Sequence, residues 1–294
     1  MTHPAIGLIG LGLMGSALAD RLGGAGQRVI GWDIDDARRG ALRERGGEVA
    51  GDAQEVFSTC SRVVLSLPSH REVGDVIRAA GATLEPGRTI IDTTTGDPAS
   101  SEELARTLNE QGVIYLDATI SGSSAQVRAG SATLMVGGNA ESFSACSDIF
   151  ALIGSQVFHT GPAGTGAKMK LVTNLVLGLN RAALAEGLAF AESIGLDPAL
   201  SLAVMRGSFA YSRIMDTKGE RMIRGDFAAD ARLSQHLKDV RLIVDIGRHA
   251  GLPMPLSAAH REVLEEAETA GYGELDNSAI IKVLVAASGN RGSE

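Results

Sequence analysis

The sequence predicts a doubly wound α/β domain followed by an all-helical domain, and three observations carry that expectation. The first 160 or so residues alternate short runs rich in Val, Ile and Leu with helix-sized segments. A glycine-rich turn, Gly10-Leu11-Gly12-Leu13-Met14-Gly15, lies between the first such run and the first helical segment. After Gly164 the strand-like runs stop and helical patterns follow one another.

The strand candidates are 6–9, 28–32, 63–67, 89–92, 113–117, 133–136 and 156–159. They are short and apolar throughout, as strands buried on both faces are. Segments 14–23, 35–45, 72–80 and 100–111 have helical length and pattern. The stretch Gly161-Pro162-Ala163-Gly164 breaks the alternation. It places a dinucleotide-binding domain at 1–163 and an all-helical substrate and dimerisation domain at 164–294.

Residues 167–193 contain no proline, and Gly195 is placed to end the helix in the left-handed conformation. Further helices are expected over 198–206, 213–224, 233–250, 255–268 and 278–288. Because 167–193 is apolar on more than one face, it is expected to join the domains and to pack against a partner subunit. The expected assembly is a homodimer or homotetramer.

Composition excludes several classes. With 44% hydrophobic residues in 294, the chain has material for a core and does not read as disordered. A net charge of −8 argues against a general nucleic-acid binder. Cys60 and Cys146 form neither a metal spacing nor a disulfide framework, so no metal is expected and a reducing cytoplasm fits. No run of about 18 apolar residues suggests a membrane span. The N-terminal apolar stretch is interrupted by glycines and lacks the basic start of a signal peptide.

The glycine turn has a defined chemistry. Gly10 permits the tight turn, Gly12 lets the backbone approach a pyrophosphate, and Gly15 lets helix pack on strand. The helix that begins there offers free N–H groups and the positive end of its dipole. Asp33 ends the next strand, about 20 residues on, where a carboxylate accepts hydrogen bonds from the adenosine ribose and repels a 2′-phosphate. NAD is therefore the expected cofactor. NADP is the alternative, which Arg38 and Arg39 would serve if they reached a phosphate rather than lying on a solvated helix face.

Other candidate residues have two readings each. Ser121-Gly122-Ser123-Ser124 follows a strand, where open α/β sheets place ligands, and could hold a carboxylate or be an ordinary polar loop. Lys168 and Lys170 are both candidates to exchange a proton with a hydroxyl or carbonyl. Lys170 and Asn174 share a helix face at i and i+4, whereas Lys168 points away. An exposed, non-catalytic lysine remains the alternative. Lys238 and Asp239 alone read as a surface ion pair.

Several stretches together resemble the β-hydroxyacid dehydrogenase family: 7–15, Ser66-Leu67-Pro68, 92–95, Ser121-Gly122 with Gly137-Gly138, 164–174, Lys238-Asp239 and 273–280. The resemblance covers nearly the whole chain. It implies a hydride transfer between NAD(H) and a small anionic β-hydroxy acid or its semialdehyde. It implies Lys170 as general acid/base and Asn174 as orienting it or the substrate, with Lys168 as structural. It implies Ser121, Gly122 and Ser123 at the substrate acid group, and Leu67, Pro68 and Thr95 on the nicotinamide side. Lys238 is implied at the cofactor and Asp239 at the substrate. Arg213 and Arg232, apart from the resemblance, are further candidate anion partners in that domain.

Two departures from the family pattern bear on substrate. Ser123 stands where one branch carries glycine. Ala231 stands where the glyoxylate/succinic semialdehyde reductases carry phenylalanine, which widens the expected pocket. The segment 164–174 resembles that branch, whereas His236-Leu237-Lys238-Asp239 resembles the tartronate semialdehyde reductases. An imine reductase of the same plan and a non-catalytic dinucleotide-binding scaffold are the competing functions. A helical domain of about 130 residues is too short for 6-phosphogluconate dehydrogenase itself.

Overall fold

The computed structural model describes residues 4–289. The chain divides into two compact units, the second beginning at Leu171.

The first unit is built on one eight-stranded sheet. Its strands are β1 (Ile6–Ile9), β2 (Val29–Trp32), β3 (Glu48–Val49), β4 (Arg62–Leu65), β5 (Thr89–Asp92), β6 (Ile114–Ser121), β7 (Ala132–Gly137) and β8 (Gly154–Gly161). The spatial order is β3-β2-β1-β4-β5-β6-β7-β8. All pairs are parallel except β6–β7, which runs antiparallel from Asp117↔Gly137 to Ser121↔Thr133. Strand order reverses at β1, which has β2 on one side and β4 on the other. Open sheets of this kind hold ligands at the carboxyl ends of the strands beside that reversal.

The helices of this unit are α1 (Leu13–Gly24), α2 (Asp36–Glu44), α3 (Ala53–Thr59), α4 (His70–Ala80), α5 (Pro98–Glu110), α6 (Ser124–Arg128), α7 (Ala140–Ala145) and α8 (Ser147–Ile153). They bury two cores. Leu18, Leu22, Val127 and Phe150 pack with Leu8, Val64 and Leu116. Phe57, Val73 and Leu108 pack with Ile9, Leu65 and Ile90. Every residue of β1 and β5 is buried, so these strands show no apolar–polar alternation. Strand β6 extends to Ser121, beyond the expected end at Asp117, because β7 returns antiparallel and pairs with the extension. The two-residue β3 and the short helices α3, α6, α7 and α8 are too brief to show a period in sequence.

Helix α9 (Thr165–Ser193) runs for 29 residues without interruption. It ends where Gly195 adopts φ +81°, with Leu196 N–H donating to the Ala191 carbonyl and Gly195 N–H to the Glu192 carbonyl. The second unit continues with α10 (Pro198–Arg206), a π-helical turn (Met215–Gly219) leading into α11 (Glu220–Arg224), α12 (Leu233–His249), α13 (Pro255–Ala267) and α14 (Ile281–Gly289). Leu184, Leu188, Leu202, Leu233, Leu237, Leu264 and Ile280 form its core. No described helix is long and apolar enough to cross a membrane.

Candidate active site

The glycine turn fits a dinucleotide. Gly10 has φ +91°, and a Cβ there would run into the Ser66 carbonyl. A Cβ on Gly15 would strike the Gly10 carbonyl, so helix and strand approach as closely as backbone allows. At Gly12 the only atom near an added Cβ is Arg38 Nη1, 3.7 Å away. That is open space over the start of α1, which a side chain would fill and a pyrophosphate can occupy. The Gly12 side chain is absent at the helix N-cap and Leu13 opens the first turn.

Asp33 lies at the end of β2 and is buried. Its Oδ2 accepts the Leu11 N–H at 2.6 Å and its Oδ1 accepts the Asp35 N–H at 2.9 Å. The carboxylate is therefore fixed beside the glycine turn. Arg38 lies exposed on α2, and both arginines reach Asp33 or its neighbour. Arg38 Nη1 lies 3.4 Å from Asp33 Oδ2, and Arg39 donates to the Asp33 carbonyl oxygen and pairs with Asp36.

The loops after β4 and β5 are tied together. Leu67 N–H donates to Thr94 Oγ1 at 3.3 Å, and Thr93 Oγ1 donates to the Leu65 carbonyl at 2.7 Å. Ser69 caps α4 and Asp97 caps α5. After β6, Ser123 and Gln126 form a reciprocal capping box at the start of α6, with Ser123 Oγ accepting the Gln126 N–H. Ser123 thus has a local hydrogen-bonding task, while Ser121 is the last residue of β6.

The start of α9 is anchored to the sheet. Asp117 Oδ1 accepts the Gly164 N–H and Oδ2 the Ala167 N–H, each at 2.8 Å. These are helix-terminal donors that have no partner within the helix. Burial pushes the Asp117 carboxyl up to about 6, against the pull of these two N–H groups. Lys168 pairs with Glu102 at 2.6 Å. Lys170, two residues on, lies on the side of the helix that carries Asn174.

In the helical unit, Asn174 Nδ2 donates to Asp239 Oδ2 at 2.9 Å, with both residues buried. Lys238 Nζ lies 3.9 Å from Asp239 Oδ1. The rings of His236 and His260 stand 5.3 Å apart, and a Cβ on Gly178 would meet His236 Nε2 at 2.6 Å. Glycine at 178 lets these rings seat against α9. Arg232 pairs with Glu274 at 3.3 Å, and Ala231 and Arg213 are exposed. Asp276 binds Lys218 at 2.9 Å; burial opposes its charge, but Lys218 and Ser278 hold the carboxyl at about 2.

Sequence reasoning passed over Asp117, Asp92 and His70. Asp92 and Asp117 are carboxylates within otherwise apolar strands, a signal that marks a bonded or chemically used group. His70 carried no such signal. No group of three or more His, Cys, Asp or Glu side chains suited to a metal occurs among the described residues.

Comparison with known proteins adds independent findings. Residues 5–161 match the family described as the NAD binding domain of 6-phosphogluconate dehydrogenase. Residues 164–284 match the family described as NAD-binding of NADP-dependent 3-hydroxyisobutyrate dehydrogenase. The chain is 34% identical to L-threonate dehydrogenase of Cupriavidus necator, covering 95% of each protein. It is 30% identical to 2-hydroxy-3-oxopropionate reductase of Escherichia coli, covering 95% of this chain and 96% of the relative. The crystal structure of 3-hydroxyisobutyrate dehydrogenase from Salmonella typhimurium superposes with a TM-score of 0.87 at 25% identity, covering 96% of this chain and 100% of that one.

Proposed function

The chain belongs to the β-hydroxyacid dehydrogenase family, and from that premise we propose that it passes a hydride between NAD(H) and a small β-hydroxy acid or its semialdehyde, with Lys170 as general acid/base. The family is one of NAD(P)-dependent oxidoreductases acting on the hydroxyl groups of hydroxy acids. The nicotinamide, when bound, supplies or accepts the hydride. This chain's residues have to bind, orient and move a proton.

The observation that carries the reading is the register of α9. Lys168 pairs with Glu102 at the surface, and Lys170 is one turn from Asn174, a buried amide held by Asp239. In this reading Lys170 Nζ gives its proton to the carbonyl oxygen during reduction and takes it from the hydroxyl during oxidation. Asn174 orients Lys170 or the substrate oxygen. Ser121 and the Gly122 backbone receive the substrate acid group, with Ser123 contributing through the loop it caps. Lys238 is assigned to the cofactor and Asp239 to the substrate. Gly10–Gly15 and Asp33 hold the adenosine and pyrophosphate, and Leu67, Pro68 and Thr95 border the nicotinamide.

The same reading gives residues 1–163 to the dinucleotide and 164–294 to substrate and subunit contacts. Met169, Val172, Val176 and Phe190 on α9 are exposed apolar side chains, which supports burial against a second copy. Ala231, small and exposed, supports a substrate larger than glyoxylate. Two buried free cysteines and bacterial relatives support action in the cytoplasm.

The deciding experiment is Lys170→Ala with NAD and a panel of β-hydroxy acids, read at 340 nm. Loss of a proton-transfer group lowers kcat by about 100- to 10,000-fold, with NADH binding retained. Near-normal turnover in the variant would end the assignment.

A further inference from the structure

A chain of four polar side chains lies beneath the loops that follow β4 and β5. His70, the first residue of α4, has a side chain only 11% exposed. Its Nε2 lies 3.0 Å from Ser101 Oγ on α5. Its Nδ1 lies 3.9 Å from Asp92 Oδ2 at the end of β5. Asp92 accepts the Tyr115 hydroxyl at 2.8 Å and the Thr94 N–H at 2.9 Å. The imidazole also fills the space beside Gly96, where an added Cβ would overlap the ring.

The order Ser101–His70–Asp92 matches that of a hydrolytic triad, but Ser101 is fully buried and no substrate can reach it. The role left to the ring is mechanical. It is attached to one loop, through Ser69 and Pro68, and wedged under the other, Thr93–Gly96. The Leu67-to-Thr94 hydrogen bond also joins the two loops.

We propose that His70 is a positioning residue: it sets the height of Thr95 relative to Leu67 and Pro68 and thereby fixes the nicotinamide ring for hydride transfer. This rests on the reading that those three residues border the nicotinamide. The adenosine end, held by Gly10–Gly15 and Asp33, does not depend on His70. The proposal therefore separates turnover from cofactor affinity. A displacement of about 1 Å at a reacting centre costs on the order of 100-fold in rate.

The test compares His70→Ala, His70→Gln and Thr95→Val in the full chain. His70→Ala should lower kcat by about 10- to 100-fold while the NADH dissociation constant, from fluorescence titration, stays within about threefold. His70 lines a groove of about 500 Å³ between α4 and α5, so free imidazole has a route to the vacated space. Imidazole should restore part of the lost kcat. His70→Gln, whose amide can still meet Ser101, should retain most of it. Thr95→Val in the His70→Ala background should lower kcat by less than it does alone.

Unchanged kcat in His70→Ala overturns the proposal. So does a loss that follows the melting temperature and resists imidazole, because that marks a purely structural residue. If Thr95→Val alone leaves both kcat and NADH binding intact, the underlying placement of Thr95 fails instead. If Thr95→Val impairs turnover and His70→Ala does not, only the positioning role fails.

Discussion

Asn174 donates its side-chain amide to Asp239 across 2.9 Å of buried space, joining α9 to α12 one helical turn beyond Lys170. An asparagine side chain left without this acceptor can rotate about χ2. The bond therefore fixes the orientation of the amide. Lys238, beside Asp239, adds a cation 3.9 Å from the other carboxylate oxygen.

Removing that acceptor should act on turnover more than on cofactor. A hydrogen bond to a charged group contributes about 1.5–3 kcal/mol, so Asp239→Ala is expected to lower kcat by roughly 10- to 100-fold. Asp239→Asn, which keeps an acceptor oxygen, should lie between wild type and alanine. Steady-state kinetics with saturating NAD and thermal melts of the three proteins check this. An alanine variant with full kcat would remove Asp239 from the site.

Asp33 and Arg38 make opposite claims on the adenosine ribose. The carboxylate is held by two backbone N–H groups and favours a free 2′-hydroxyl. The guanidinium, 3.4 Å away and half exposed, can turn to a 2′-phosphate. Wild type is expected to prefer NADH over NADPH in kcat/KM. Asp33→Ala should lower the NADH value by about tenfold or more and leave NADPH less affected, whereas Arg38→Ala should weaken NADPH selectively. Wild-type preference for NADPH would reverse the assignment of the two residues.

Much of this architecture is legible because its signals are local. The apolar runs of β1, β4 and β5 are buried on both faces, so they contain no alternation and read directly as parallel strands. Gly10 and Gly15 announce a turn whose geometry excludes a Cβ, and Gly12 leaves the space over it open. Lys170 and Asn174 announce a shared face through their spacing. What escapes local reading is pairing over long separations: Asp117 with Gly164 and Ala167, His70 with Ser101, and Asn174 with Asp239. The partner of each of these side chains is fixed only when strands and helices meet. The extension of β6 to Ser121 escapes for the same reason, since β7 creates it.

Asp117 gives a pH signature to the first unit. Burial raises its carboxyl from 3.8 to about 6. Between those values the folded chain keeps a proton that the unfolded chain has released, so its contribution to stability falls as pH rises. The full difference is about 3 kcal/mol at 1.36 kcal/mol per unit. Asp117→Asn removes the slope but leaves one of two backbone N–H groups without an acceptor, a cost of about 1–3 kcal/mol. Urea unfolding at pH 4, 5, 6 and 7 should show the variant gaining on wild type as pH rises. A constant difference across that range would refute the buried ionisation.

His260 has the opposite sign and sits in the other unit. Burial, and then the Arg181 guanidinium, lower its pKa from 6.5 to about 4. Arg181 is itself 3% exposed, with Nε and Nη1 lacking hydrogen-bond partners, and burial lowers its own pKa to about 10. The unfolded chain gains a proton on His260 below 6.5 that the folded chain refuses until 4. Stability is therefore fully present above 6.5 and is lost as pH falls through that window, by about 3 kcal/mol. Because this slope opposes that of Asp117 between pH 4 and 6, the wild-type profile conceals both. His260→Leu should flatten its share, and Arg181→Met should remove the cation that lowers the His260 pKa and so reduce acid sensitivity. Denaturant unfolding of each variant at pH 4.5 and 7 measures the effect. If His260→Leu loses as much stability as wild type between those pH values, His260 does not stay neutral in the folded core.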